Sequence, residues 1–315
     1  MTADAPAVWV LADPRAGTAA QALGIAERLG APFRSVPLDW SAAASLPLRW
    51  PTLLGLAPAA REALEGPPPP RLVVSAGRRS APAALWLARR GARTVHCMRP
   101  GFGRSRFDLL VLGRHDAPPD APNILPILGA THRISPAALA AAHAEWEPAL
   151  AALPRPRVAL LVGGKVRAEG GMEPSVAAAI GARTAAFAGS VLATTSRRTG
   201  EAATAALAET LGGVPHRLFR WGDPGPNPYR GFLAWADAVV ATGDSVSMLS
   251  EALATAGPVF IADPGGLGPR HRALHASLYA AGQARPLSPE PGFFARTPLD
   301  ESGRVAAAIR ARGWL

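Results

Sequence analysis

Short runs rich in Val, Leu and Ile alternate along this chain with alanine-rich stretches whose apolar positions recur at helical spacing. That is the pattern of βαβ units assembling a parallel sheet. In the first half it predicts strands at Ala7 to Ala12, Arg71 to Ser75, Thr94 to Met98, Asp108 to Leu112 and Asn123 to Pro126, with helices at Thr18 to Leu29 and Ala81 to Arg90. Trp40 to Leu64 shows no clear period and reads as an irregular insertion, followed by the stiff spacer Pro67 to Pro70. A long helix, Pro136 to Leu153, runs into Pro154-Arg155-Pro156, where the domain boundary is expected.

The second half repeats the alternation, with strands at Arg157 to Val162, Val191 to Thr194, His216 to Phe219, Ala238 to Ala241 and Val259 to Ala262. Its helices are expected at Glu173 to Ala188, Glu201 to Leu211, Ser245 to Ala254 and Arg270 to Ala281. The fold class is therefore α/β, two Rossmann-like doubly wound domains facing across a cleft, over residues 1–153 and 154–300. A last helix, Glu301 to Arg312 within residues 301–315, is free to cross back to the first domain.

Hydrophobic residues make up 49% and charged residues 18% of the 315, which excludes a disordered or polyelectrolyte chain and supplies two cores. The net charge of +10 is spread over both halves and favours an anionic partner, without choosing among phosphate, acidic lipid and nucleic acid. Lys165 is the one lysine among 33 basic residues. The single cysteine, Cys97, excludes an internal disulfide and fits a reducing compartment. No basic segment followed by an apolar run opens the chain, and no uncharged apolar run reaches the roughly 18 residues that span a bilayer. A cytoplasmic protein is expected, with any membrane contact peripheral and on the inner face.

In open parallel sheets ligands bind beyond the carboxyl ends of the strands, so the strand-to-helix loops are where chemistry is sought. After Arg157 to Val162 come Gly163-Gly164-Lys165, whose glycines admit backbone amides to an anion while the lysine adds a point charge. The P-loop spacing is missing, and a plain glycine turn fits equally. Thr195-Ser196-Arg197-Arg198-Thr199-Gly200 offers hydroxyls and a guanidinium pair for phosphate oxygens, or an ordinary cap beside solvated arginines. In Thr242-Gly243-Asp244-Ser245-Val246-Ser247-Met248, a helix opening at Ser245 directs amides and a positive dipole end toward a diphosphate. Glu251, nearly two turns on, comes within reach of ribose hydroxyls; the plainer account is an N-cap and a solvated glutamate. Asn227-Pro228-Tyr229 starts a turn or helix, and Tyr229 has the ring to stack on a base or sugar.

In the first half, Asp13-Pro14-Arg15-Ala16-Gly17-Thr18 enters a helix carrying Gln21, with Asp13 a candidate proton acceptor and Arg15 a candidate anion ligand. His115-Asp116 is a second candidate acid–base pair, or a hydrogen-bonded turn. Eight arginines fall between Arg78 and Arg106, Arg99 among them, with no acid and with Phe102 in their midst. Acidic headgroups, an anionic acceptor and a solvated basic face all fit that run. Sparse aromatics and the lack of helix-turn-helix, RNP or zinc patterns argue against nucleic acid. There is no Asp-x-Asp pair and no metal-ligand spacing, so a metal-free site is expected; no Gly-x-Ser-x-Gly elbow and no Tyr-x-x-x-Lys pair occur.

Taken together, Leu161-Val162-Gly163-Gly164, Thr195-Ser196-Arg197-Arg198-Thr199, Asn227-Pro228-Tyr229 and Val240 to Glu251 resemble the mitochondrial-fission Elm-type family. Gly17, Gln21 and Gly24, Ser75-Ala76-Gly77-Arg78 and His115-Asp116 extend the resemblance to the first half; Thr18 and Gly200 depart from the family's pattern. The resemblance implies a GT-B-like architecture with a nucleotide-sugar site on the second lobe. It makes Gly164, Lys165, Ser196, Arg197, Ser245 and Ser247 diphosphate-side candidates and places Glu251 at the ribose.

The expected function is a metal-independent, inverting glycosyltransferase without a tightly bound cofactor, using a nucleoside diphosphate sugar as donor and an acceptor of unknown, membrane-associated type. Asp13 or Asp116 would take the acceptor proton, and Arg15, Gly17, Gln21, Gly77, Arg78 and Arg99 would hold the acceptor or an anion. The alternative is a non-catalytic scaffold that binds membrane or protein partners. Nothing in the pattern specifies an oligomeric state.

Overall fold

Strands buried on both faces must be covered by helices on both faces, and that requirement organises each half of the chain. The computed structural model describes residues 7–164 and 171–315, which leaves Lys165 outside the described residues. The chain divides into two units, Met1–Arg133 with Asp300–Leu315, and Ile134–Leu299.

The first unit runs β1 (Val8–Ala12), α1 (Ala16–Arg28), β2 (Phe33–Pro37), α2 (Pro58–Glu65), β3 (Leu72–Ala76), α3 (Ala81–Ala88), β4 (Arg93–Cys97), β5 (Leu109–Gly113) and β6 (Ile124–Ile127). Its six strands are all parallel, in the order β2-β1-β3-β4-β5-β6. Because side chains alternate along a strand, Trp9, Leu11, Val73 and Leu110 enter one core with Leu64 and Leu85. Val8, Val10, Val74 and Val111 enter the other with Ile25 of α1. The pattern of the sequence does not reveal β2, since only Val36 of its five residues is buried and it lies at the sheet edge. Nor does it reveal α2, which starts on Pro58 inside the segment expected to be irregular and buries only Ala60 and Leu64.

The second unit contains α4 (Pro136–Leu150), β7 (Arg157–Val162), α5 (Pro174–Ala185), β8 (Ser190–Thr195), α6 (Glu201–Leu211), β9 (His216–Phe219), α7 (Tyr229–Trp235), β10 (Ala238–Thr242), α8 (Val246–Ala252), β11 (Val259–Ala262), α9 (Pro269–Ala280) and the short β12 (Arg285–Pro286). Its parallel strands follow the order β12-β11-β10-β7-β8-β9.

The division comes before α4 rather than after it, as the proline run suggested. The Trp146 ring on α4 occupies the notch left by Gly231 on α7, where a Cβ would fall 2.4 Å from it, and His143 stacks on Trp235 at 4.0 Å between centroids. Pro154-Arg155-Pro156 thus ends a helix without ending a unit. The C-terminal helix α10 (Glu301–Ala311) closes the first unit instead: Val305, Ala306 and Ile309 are fully buried in the core beneath α1. Asp300 caps α10 through the Gly303 amide at 2.9 Å and pairs with Arg28 of α1 at 3.1 Å, while the Leu128 amide donates to Glu301 at 2.8 Å.

Within each sheet the chain leaves its first strand toward one side and later returns on the other, between β1 and β3 in the first unit and between β7 and β10 in the second. Loops diverge at such switch points and leave room for a ligand beyond the strand ends. No helix among the described residues is long and apolar enough to cross a membrane.

Candidate functional site

Since β7 is flanked by β10 and β8, the loops leaving these three strands meet at one switch point. Their approach is close. A Cβ on Gly163 would sit 2.3 Å from an Asp244 oxygen, and one on Gly164 only 1.8 Å from the Arg198 carbonyl. The Gly163 amide donates to Thr242 Oγ1 at 2.7 Å and the Gly164 amide to Asp244 Oδ2 at 3.0 Å. Asp244 is buried and also pairs with the Arg198 guanidinium at 2.9 Å. Its other oxygen, Oδ1, is buried without a hydrogen-bond partner among the described residues. Thr199 ties the remaining loop down by donating to the Gly163 carbonyl at 2.5 Å and accepting from the Ser196 amide at 2.9 Å. Arg198 donates its amide to Ser196 Oγ at 3.2 Å, and Arg197 is exposed.

Asp244 therefore does not cap α8. Ser245 does, accepting from the Met248 amide at 3.3 Å, which satisfies one of the donors expected for an anion. The Val246 and Ser247 amides precede the first intrahelical bond and have no acceptor within the helix. Ser245, Ser247 and Met248 are half-buried. Beneath the turn, His275 of α9 donates from Nε2 to the Gly243 carbonyl at 2.8 Å. Burial lowers its pKa, opposed by this hydrogen bond to the Gly243 carbonyl.

Glu251, expected at a ribose, accepts the Tyr229 phenol at 2.6 Å. Asn227 sets Tyr229 in place by accepting its backbone amide at 3.0 Å. Burial raises the Glu251 carboxyl, opposed by this hydrogen bond and by Arg230. Burial and the neighbouring carboxylate push the phenol well above its usual range. Two residues singled out separately in the sequence thus form one half-buried polar pair.

In the first unit the loops after β1 and β3 meet in the same manner. Gly77, at φ +84°, would place a Cβ 3.1 Å from Thr18 and 3.9 Å from Arg15. Asp13 is buried with both oxygens held by Arg15, at 3.0 Å from Nε and 3.1 Å from Nη2, and it accepts the Arg15 amide at 2.8 Å. The carboxylate raises the guanidinium pKa through that hydrogen bond. Gly17 lies in the first turn of α1, and Gln21 is buried on its inner face. His115 and Asp116 form a second, separate cluster after β5, 3.8 Å apart, where Arg99 donates to the Asp116 carbonyl. Three strand spacings separate β1 from β5, about 14 Å, so Asp13 and His115 do not act as one pair. Cys97 is buried against Thr131, its thiol pushed up to about 12 by burial.

Thr199, Thr242 and His275 escaped the reading of the sequence. Thr199 stood inside a quoted motif, and Thr242 at a strand end, whereas nothing local marks His275, 32 residues beyond Gly243. Among the described residues, no three His, Cys, Asp or Glu side chains come together as a metal cluster.

Two doubly wound units, each with glycine-lined loops at its switch point, define a protein of the two-domain Rossmann class with GT-B-like architecture. A solved structure from Listeria monocytogenes, described as a candidate UDP-N-acetylglucosamine 2-epimerase, superposes with a TM-score of 0.52 at 16% identity, over 96% of this chain and 94% of that one. MurG from Acinetobacter baumannii gives a TM-score of 0.49 at 12% identity over 98% and 91%. At these identities the likeness concerns the fold alone.

The family described as Mitochondrial fission ELM1 matches residues 16–313, and the chain belongs to that family. Mitochondrial fission protein ELM1 of Arabidopsis thaliana is 29% identical over 283 residues, covering 78% of this chain and 65% of the plant protein. An uncharacterized protein of Rickettsia prowazekii is 32% identical over 116 residues, 35% of this chain and 32% of its own. The chain spans less than two thirds of the length of these curated relatives.

Proposed function

We propose that the second unit holds a nucleoside diphosphate sugar and that the protein transfers the sugar to an acceptor hydroxyl. The observation that carries this reading is the convergence of the loops after β7, β8 and β10 at a switch point, packed too closely for side chains at Gly163 and Gly164. A diphosphate there meets the Val246 and Ser247 amides, the Ser245 and Ser196 hydroxyls and the exposed Arg197. Donors fixed before reaction stabilise the charge that builds on the leaving diphosphate. Tyr229 and Glu251 take the nucleoside side. The acceptor proton goes to Asp116 or His115, or to Asp13 once Arg15 releases it.

A specific observation favours the second reading, a non-catalytic scaffold: Asp13, Asp244 and Glu251 are already engaged by internal partners. Thermal melting with UDP, GDP and their sugars separates the two, UDP-N-acetylglucosamine being the first to try from the description of the Listeria structure. Saturation to about 100 Kd adds about 2.7 kcal/mol, or about 5 to 10 °C for a unit of this size. Arg197→Ala with Ser247→Ala, both on accessible residues, should shrink the shift while leaving the melting temperature of the free protein unchanged. A flat response to every nucleotide leaves the scaffold.

A further inference from the structure

We propose that the first unit docks on an anionic lipid bilayer through the insertion between β2 and α2. The proposal is independent of the donor reading. Five large hydrophobic side chains are conspicuously exposed among the described residues, and three of them lie within nine residues of this insertion: Leu46 at 55%, Trp50 at 51% and Leu54 at 44%. The segment is anchored, so their exposure is built in. Leu53 and Leu56 are buried in the core, the Ser41 amide donates to the Gly55 carbonyl at 3.0 Å, and Trp40 bridges to Leu56.

Positive charge surrounds these apolar projections. A groove of about 200 Å³ is lined by Leu46, Leu48 and Phe102 together with Arg49, Arg78 and Arg79. A second depression beside Pro51 carries Arg89 and Arg106. These five arginines are exposed and have no carboxylate partner among the described residues. Arg104 of the run is also exposed, and its other three arginines are engaged. Arg93 pairs with Asp108 at 2.7 Å, Arg90 donates to the Leu64 and Glu65 carbonyls, and Arg99 donates to the Asp116 carbonyl. No acid interrupts Trp40 to Arg61 or Gly66 to Phe107.

Projecting leucines and a tryptophan ringed by uncompensated guanidinium groups match the boundary of a leaflet, where acyl chains give way to phosphates. A nucleic acid has no use for Leu46 and Leu54, and Trp50 alone supplies a stacking ring among the exposed side chains of this surface.

The test is co-sedimentation of the full chain with vesicles of phosphatidylcholine, alone or mixed with phosphatidylglycerol, at low and high salt. The protein should pellet with the anionic vesicles. Arg49→Ser, Arg78→Ser and Arg79→Ser together should weaken partitioning about 100-fold, at about fivefold per charge, and high salt should do the same. Leu46→Ser, Trp50→Ser and Leu54→Ser together should weaken it about tenfold or more at unchanged charge. Melting temperatures of both triple variants should match the parent, because the altered side chains are exposed. Absence of pelleting with anionic vesicles overturns the proposal, as does full binding by the apolar triple variant. Single-stranded RNA that binds through the same arginines and displaces the vesicles regardless of the apolar triple assigns the surface to nucleic acid and also overturns it.

Discussion

Ser75 on β3 and His96 on β4 stand 2.8 Å apart, Oγ to Nδ1, two residues before the switch-point glycine Gly77. A serine–histidine pair invites a catalytic reading, but both residues are fully buried and no substrate reaches them. Their consequence is a pH-dependent stability. His96 packs on Phe107 at 4.8 Å, its Nε2 lacks a hydrogen-bond partner among the described residues, and burial holds its pKa down to about 3. In the unfolded chain the ring protonates near pH 6.5. Above that pH both states are neutral and His96 adds no dependence; between about 6.5 and 3 the unfolded state binds the extra proton, so stability falls as pH falls. At about 1.4 kcal/mol per pH unit the full loss is about 5 kcal/mol, of which about 2 has gone by pH 5 and about 3 by pH 4.

Replacing His96→Leu with Ser75→Ala removes both polar partners together, so neither is left orphaned. Hydrogen exchange at the β3 and β4 amides reports the opening of the first unit without requiring the two units to unfold together. Between pH 7 and pH 5 the parent should lose about 2 kcal/mol more than the double variant. Equal pH slopes in the two proteins would refute the argument.

Other consequences follow from the same packing. Tyr229→Phe leaves the half-buried Glu251 without its 2.6 Å donor and should lower the stability of the second unit by about 1 to 3 kcal/mol in denaturant titration, whereas Glu251→Gln, which still accepts from the phenol, should be milder. Ile309→Ala empties a fully buried position on α10 and should cost about 2 to 5 kcal/mol in the first unit, read as faster exchange in α1 with β9 unaffected.

Central strands were legible because burial on both faces leaves a continuous apolar run, as in Leu109–Gly113. The edge strand Phe33–Pro37, with one buried residue, carries no such run. Helix α4 was legible as a helix yet not as part of its unit, because the contact of Trp146 with Gly231 joins positions 85 residues apart. The site divides along the same line. Gly163, Ser196, Asp244 and Ser245 could be found as turn residues after strands, since glycine and short polar side chains mark such turns locally.

Periodicity and turn chemistry are short-range properties, and from them and the composition the sequence alone determined two α/β halves, the strand-end loops and an acid-free run of eight arginines from Arg78 to Arg106. Which loops become neighbours depends on strand order, and strand order is settled by how whole sheets and helices bury one another. Tertiary structure therefore decided that Asp244 turns to Gly164 and Arg198 and that Glu251 meets Tyr229, whereas Asp13 is held by Arg15 only two residues along its own loop. A carboxylate is committed to whichever donors the fold brings within hydrogen-bond reach, and in two of these three pairings those donors come from remote parts of the chain.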